Sequence, residues 1–352
     1  MIANQLLANG AVFGNCRIVR RIGRGGMGEV YLARHLTLDR DCAIKVLKPE
    51  VAEENPGFVD RFVREARISA RVVHPNLIAV HDAGREPASG LYYIVMDYVP
   101  GGSLRDLMRR MPKVAPTRAL NIVRQVAEAL TEGAKHALVH RDVKPENILF
   151  AADGRALLGD LGIAKSAECA VRSDTMTLSV FGTPSYMSPE QAKDASTVDG
   201  RGDLFSLGIV LHEMLAGSRP YGNAGPSEVL ARLGGPDPVP PLPLGLAPDS
   251  VSRLVADLCE KDPGRRVSSA AELVRRIDEC LADDAMRNPT DDQPTVPVRD
   301  GRRCSPVQMD RRLRAMFVLL AALIVTLVAI AFVLSGDDDS PRQMETEKPS
   351  YE

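Results

Sequence analysis

His140-Arg141-Asp142-Val143-Lys144-Pro145-Glu146-Asn147 is the strongest motif in the chain, and the patterns on either side of it decide the fold. On its N-terminal side, CRIVRRIG from Cys16, GEVYLARH from Gly28 and DCAIKVLK from Asp41 cluster β-branched residues between Gly and Asp turns, which predicts strands. PGFVDRFVREARISARVV follows, with Phe58, Phe62, Val63, Ala66 and Ala70 at helical spacing. LIAVHDAG and LYYIVMDYV then read as two further strands. After Gly101-Gly102 the pattern turns helical, with Ser103 as an N-cap and Leu120, Val123, Ala127, Leu130 and Ala134 on one face of a helix over 117–134. Beyond the motif, LFSLGIVLHEMLAG is apolar on most sides and predicts a buried helix, and two amphipathic helices follow at VSRLVADLCE and SAAELVRRIDECLADD.

Ile22-Gly23-Arg24-Gly25-Gly26-Met27-Gly28-Glu29-Val30 fits G-x-G-x-x-G. Glycines at this spacing let a backbone turn approach phosphates, because no Cβ intervenes. By itself the pattern also suits a dinucleotide fold or a plain hairpin turn. A strand pattern, EVYLAR, follows it, whereas a dinucleotide site needs a helix there. Ala43-Ile44-Lys45 comes on the next strand. With these motifs in this order, the chain resembles the eukaryotic-type (Hanks-type) Ser/Thr protein kinase family, especially its bacterial membrane-anchored branch, over about residues 13 to 282.

The resemblance implies an α+β bilobal fold, with a β-rich N-lobe over 13–95 and a hinge and helical C-lobe over 96–282. It implies ATP and Mg2+ as cosubstrate and cofactor, and protein Ser/Thr hydroxyls as acceptors. Residues 22 to 30 would cover the nucleotide, and Lys45 would grip its α- and β-phosphates with Glu65 as the carboxylate that holds Lys45. Either charge alone reads as a solvated surface residue; their place in the pattern reverses that. Asp142 would orient the acceptor hydroxyl, Lys144 would offset charge on the transferred phosphoryl group, and Asn147 and Asp160 would hold the metal. In VMDYVPGG, Met96 would back the pocket and the Asp97 and Val99 backbone would face adenine, with Val30, Ala43 and Leu149 sandwiching the ring.

Asp160-Leu161-Gly162 stands where the family usually has Asp-Phe-Gly, which leaves the hold on the active conformation open. In Gly182-Thr-Pro-Ser-Tyr-Met-Ser-Pro-Glu190, Thr183 would touch Asp142 and Glu190 would pair with Arg266. Asp203 would hold the backbone of the 140–147 loop. Arg141 would face phosphates carried by the segment between Gly162 and Gly182, with Thr175 and Thr177 as the expected sites. The plain alternative is a polar loop that contains hydroxyls by chance.

Composition sets outer bounds. The 352 residues exceed one small core and suit two lobes or domains. A formal net charge of −2 argues against a nucleic-acid partner, and 4% aromatics with no Trp leave few stacking platforms. The six cysteines form no CxxC pair, which argues against structural zinc or a disulfide framework. The Pro-rich stretch GGPDPVPPLPLGLAPDS reads as a rigid connection between helices, with a polyproline ligand as the alternative.

Residues 283–314 read as a polar, basic juxtamembrane linker. Ala315 to Leu334 form 20 nearly unbroken apolar positions, interrupted by Thr326. At about 1.5 Å per residue this run is roughly 30 Å long, the thickness of a bilayer core, so one C-terminal transmembrane helix is expected. Arg302, Arg303, Arg311, Arg312 and Arg314 precede it and Asp337, Asp338 and Asp339 follow it. The expected placement is the cell membrane, single-pass, with the catalytic part cytosolic and an acidic tail over 335–352 outside. A transient homodimer in the membrane plane is the expected partner state.

Three rivals stand beside the kinase reading. A pseudokinase scaffold would lack one of Lys45, Asp142 and Asp160, all present. A small-molecule phosphotransferase would lack the GTPSYMSPE segment. A sensor receptor would need more than a short external tail.

Overall fold

The computed structural model describes residues 6–54, 56–160, 184–194 and 198–287. The first half is a six-stranded antiparallel sheet in the order β1-β2-β3-β4-β6-β5. Its strands are β1 (Val12–Phe13), β2 (Cys16–Arg24), β3 (Gly28–His35), β4 (Arg40–Leu47), β5 (Val80–Arg85) and β6 (Tyr92–Asp97). Two helices, α1 (Pro49–Glu54) and α2 (Pro56–Ser69), leave the sheet after β4 and return the chain to its edge. Pro49 and Pro56 open them, where a missing N–H costs nothing.

Alternation along β4 sorts the two faces of the sheet. Ile44 and Val46 join Phe13, Cys16, Ile18, Tyr31 and Ala33 in an outer apolar cluster. Leu47 turns to the inner side, where it packs with Phe58 and Phe62 of α2 and Ile94 of β6. Lys45 lies opposite Val30 on β3 and Ile94 on β6, and Ala43 lies opposite Met96.

The second half is helical. It comprises α3 (Leu104–Arg110), α4 (Pro116–Lys135), α5 (Pro189–Lys193), α6 (Gly200–Ala216), α7 (Pro226–Gly234), α8 (Asp249–Leu258) and α9 (Ala270–Arg287). Ser103 starts α3 through a capping box: its Oγ accepts from Asp106 N at 3.2 Å and its own N–H donates to Asp106 Oδ2 at 3.1 Å. Ser188 and Gln191 repeat the device on α5. The sequence shows α6 as an apolar run, and the structure buries every residue from Gly202 to Leu215. Helices α4 and α8 pack on α6, and α9 packs on α4. Gly208 permits the close approach, since a Cβ there would stand 2.6 Å from Leu258 Cβ.

A two-stranded ribbon, β7 (Ile148–Phe150) and β8 (Ala156–Leu158), lies where the halves meet. Leu77 bridges to Leu158 and Ser103 to Leu149, which ties the ribbon to both halves. Among the described residues no helix is long and apolar enough to cross a membrane. The expected span over 315–334, its flanks and the linker after residue 287 lie outside the described residues.

Candidate active site

The loop over 140–147 is built on one buried carboxylate. Asp203, 2% exposed in the first turn of α6, accepts from His140 N through Oδ2 and from Arg141 N through Oδ1, both at 2.7 Å. Burial pushes its carboxyl above the usual range, against the pull of His140 and these two N–H groups. His140 Nδ1 accepts from Asp142 N at 3.2 Å, so the ring proton sits on Nε2, which donates to Gly159 O at 3.1 Å. One imidazole thereby joins the loop to the strand end that carries Asp160. Both hinge points are strained: Arg141 has φ +61° and Asp160 φ +54°, values that L side chains rarely adopt.

Asp142 is held from two sides. Its Oδ2 accepts from Lys144 Nζ at 2.7 Å and from Asn147 Nδ2 at 3.0 Å, and Asn147 also donates to the Asp142 carbonyl at 2.9 Å. Burial works against the Lys144 charge, but the Asp142 carboxylate outweighs it and the ammonium ends above its usual range. Gly159 N donates to the Asn147 carbonyl at 2.8 Å, which brings the Asp160 turn beside the amide.

Lys45 reaches from β4 to this turn and forms an ion pair with Asp160. Glu65, the carboxylate expected to hold Lys45, lies partly buried on α2. Asp160 keeps 43% of its side chain exposed. A solvent-facing carboxylate next to an amide side chain is the oxygen-donor set that a hard divalent cation takes, so the residues fit Mg2+.

The Gly-rich hairpin joins β2 to β3. Gly25 N donates to Gly28 O at 2.8 Å, and a Cβ on Gly28 would stand 2.3 Å from the Val46 carbonyl. Glu29 was expected among the residues at the nucleotide; alternation turns its side chain to the other face, where it is 1% exposed. There it meets Arg21 Nη1 at 2.9 Å, the Tyr31 hydroxyl and the Leu6 N–H at 3.1 Å. Burial works against its charge, yet these partners hold the carboxyl below its usual range.

The connection after β6 closes the pocket. Asp97 N donates to the Ala79 carbonyl at 3.0 Å. Its carboxylate faces His81 Nε2 at 2.6 Å. Gly101 N donates to Phe150 O at 3.0 Å and Phe150 N to Gly102 O at 2.9 Å, which sets Leu149 beside Ser103. A Cβ on Gly101 would stand 2.2 Å from the Phe150 carbonyl.

Supports lie behind the loop. Glu190 pairs with Arg266, whose guanidinium also lies 5.1 Å from the Phe205 ring centroid. Two contacts have no sequence signal pointing to their partners. Gln191 Nε2 donates to the Arg141 carbonyl at 2.7 Å. Arg105 of α3 meets Glu146 at 2.8 Å, Glu213 of α6 at 2.9 Å and the Tyr186 hydroxyl, which itself donates to Glu213. Thr175, Thr177, Thr183 and Leu161 lie outside the described residues.

Comparison with known proteins agrees with this geometry. Residues 16–277 match the protein kinase domain family. The chain is 40% identical over 281 residues to serine/threonine-protein kinase PknB of Mycolicibacterium smegmatis, an alignment covering 78% of this chain and 44% of that one. It is 36% identical over 269 residues to serine/threonine-protein kinase PrkC of Bacillus subtilis, covering 76% and 41%. It therefore spans less than half the length of these curated relatives. The crystal structure of the Mycobacterium tuberculosis PknI kinase domain superposes with a TM-score of 0.62 at 31% identity, covering 79% of this chain and 99% of that one. A loop held by Asp203, a carboxylate held by Lys144 and Asn147, and a strand lysine meeting Asp160 thus sit within a matching fold, and the chain belongs to the protein kinase family, in its bacterial Hanks-type Ser/Thr branch.

Proposed function

We propose that this chain transfers the γ-phosphoryl group of ATP to Ser or Thr hydroxyls of proteins. The observation that carries the reading is the convergence of Asp142, Lys144 and Asn147 on one loop with the Lys45–Asp160 pair beside it. Phosphoryl transfer needs positioning and charge compensation more than covalent help. Asp142 accepts and orients the acceptor hydroxyl. Lys144, already bound to Asp142, lies where it offsets negative charge on the group in transit. Lys45 exchanges its contact with Asp160 for nucleotide phosphates, and that frees the Asp160 carboxylate. A divalent cation held by Asp160 and Asn147 supplies charge neutralisation. The Asp97 carbonyl and the apolar side chains of Val30, Ala43 and Leu149 receive adenine.

Activation by phosphorylation in trans on Thr175 or Thr177 belongs to the same proposal, with Arg141 as the receiving cation. Its Nε is buried and has no hydrogen-bond partner among the described residues. So does a single-pass membrane anchor at 315–334 with the catalytic part cytosolic, supported by a 20-residue run that is apolar except at Thr326 and by the arginines before it.

The test is phosphate incorporation from labelled ATP by the full chain, with a generic basic protein as acceptor and Asp142→Asn as control. Label on Ser and Thr that disappears in the control is the expected result. Binding of ATP without label in either protein would turn the reading to a scaffold.

A further inference from the structure

The tip of the Gly-rich hairpin is gripped by one residue outside it. Lys48 Nζ donates to the Gly25 carbonyl at 2.9 Å and to the Gly26 carbonyl at 2.8 Å. The Lys48 backbone N–H donates to the Met27 carbonyl at 2.9 Å. Three successive tip carbonyls are therefore taken by a single residue. Lys48 follows β4 directly, and its parity is that of Val46, on the sheet face opposite Lys45.

A trans peptide unit fixes what this does to the donors. The C=O of one residue and the N–H of the next belong to the same plane and point in opposite directions. Drawing the Gly25 and Gly26 carbonyls toward Lys48 turns the Gly26 and Met27 N–H groups toward the other side, the face of Lys45. Among the described residues neither N–H donates to a backbone carbonyl in the turns and loops. Successive N–H groups aimed at one side form a concavity for anionic oxygens. An untethered tip rich in glycine would sample many such orientations, and ordering it at binding costs affinity.

We infer that Lys48 is a positioning residue that presets the Gly-rich tip for nucleotide phosphates before nucleotide arrives. The inference rests on the nucleotide-binding reading above. Lys48 acts through the peptide planes of the tip, so its effect belongs to the phosphates and not to the base.

The experiment compares the full-length wild type with Lys48→Met, which keeps the aliphatic stem, and Lys48→Arg, which restores donors. ATP and adenosine affinities, KM for ATP, kcat and amide order parameters of Gly26 and Met27 without nucleotide are measured. Loss of two charge-assisted hydrogen bonds should weaken ATP binding about tenfold in Lys48→Met. KM should rise more than kcat falls, adenosine affinity should stay within twofold, and the two order parameters should drop. Lys48→Arg should recover most of the ATP affinity. Unchanged ATP affinity, equal weakening of adenosine, or a tip as rigid as the wild type would each overturn the inference. A wild type that binds neither ATP nor adenosine would instead overturn the nucleotide-binding reading itself, and the inference with it.

Discussion

Arg266 and Glu190 form a two-pronged pair across 76 positions of sequence, with Nη1 to Oε1 at 2.7 Å and Nη2 to Oε2 at 3.1 Å. The arginine side chain is fully covered, and its remaining donors go to the carbonyls of Glu260, Lys261 and Arg201. Removing one partner of such a pair strands a buried charge, which costs about 3–5 kcal/mol. Glu190→Ala should therefore lower the free energy of unfolding by that amount, read from the denaturant midpoint. A loss under about 1 kcal/mol would show the pair to behave like an exposed one.

Asp203 should act on rate through geometry. Asn in its place keeps one acceptor and sets an amide N–H2 against a backbone donor at 2.7 Å. The loop then relaxes at Arg141, and a displacement near 1 Å costs about a hundredfold in transfer rate. Asp203→Asn should lower kcat by that order while KM for ATP, which the proposed function assigns to the hairpin and the β6 connection, changes less than threefold. Equal changes in both constants would contradict this.

Arg105 is the only cation in contact with Glu213 among the described ion pairs. Arg105→Met leaves that carboxylate, 7% exposed, facing the Tyr186 hydroxyl alone. The segment after residue 183 loses its tether to α3. Transfer to a protein acceptor should fall at least tenfold, while ATP affinity stays at the wild-type value. Binding and steady-state assays on the same variant separate the two.

His212 predicts a pH dependence. Burial in α6 pushes its imidazole below the usual range, with Nδ1 3.2 Å from the Ser218 carbonyl. The unfolded chain takes up a proton near pH 6.5, and the folded chain does so only at lower pH. The unfolded state then binds more protons as pH falls below about 6.5, so this contribution to stability is full above 6.5 and is lost toward lower pH. The slope is at most about 1.4 kcal/mol per pH unit. His212→Gln should be the less stable protein at pH 7.5, with a gap that narrows at pH 5.5. A constant gap in urea titrations would reject the assignment.

Short motifs were legible in the sequence because each needs residues within a few positions of one another. The 140–147 loop, the Gly-rich hairpin and the strand lysine fall in this class. So does α6, whose lack of a polar face marks burial. Glu29 was misplaced with the nucleotide although strand alternation already turned it away from Val30. The short helix α1 has no signal because PEVAEE carries no apolar stripe, and it buries no residue fully. The Arg105 and Gln191 contacts were beyond reach for another reason. They join partners 108 and 50 positions apart, and nothing local to either residue names the other. The Lys45–Asp160 contact likewise spans 115 positions, and neither residue's neighbours name the other.

The Glu29 cluster has a practical consequence for the residues before β1. Leu6 N donates to its carboxylate, and Leu7 N donates at 3.0 Å to Tyr31, whose phenol is pushed up to about 12 by burial and by Glu29. Leu6 and Leu7 thus act as a splint on the back of the Gly-rich hairpin. Trimming the protein to begin at Val12, or crowding Leu6 with a fusion partner, would bare a carboxylate and loosen β3 one residue from Gly28. Handling the N-terminus is then a way of handling nucleotide affinity from outside the cleft, with no change to any residue that meets the nucleotide.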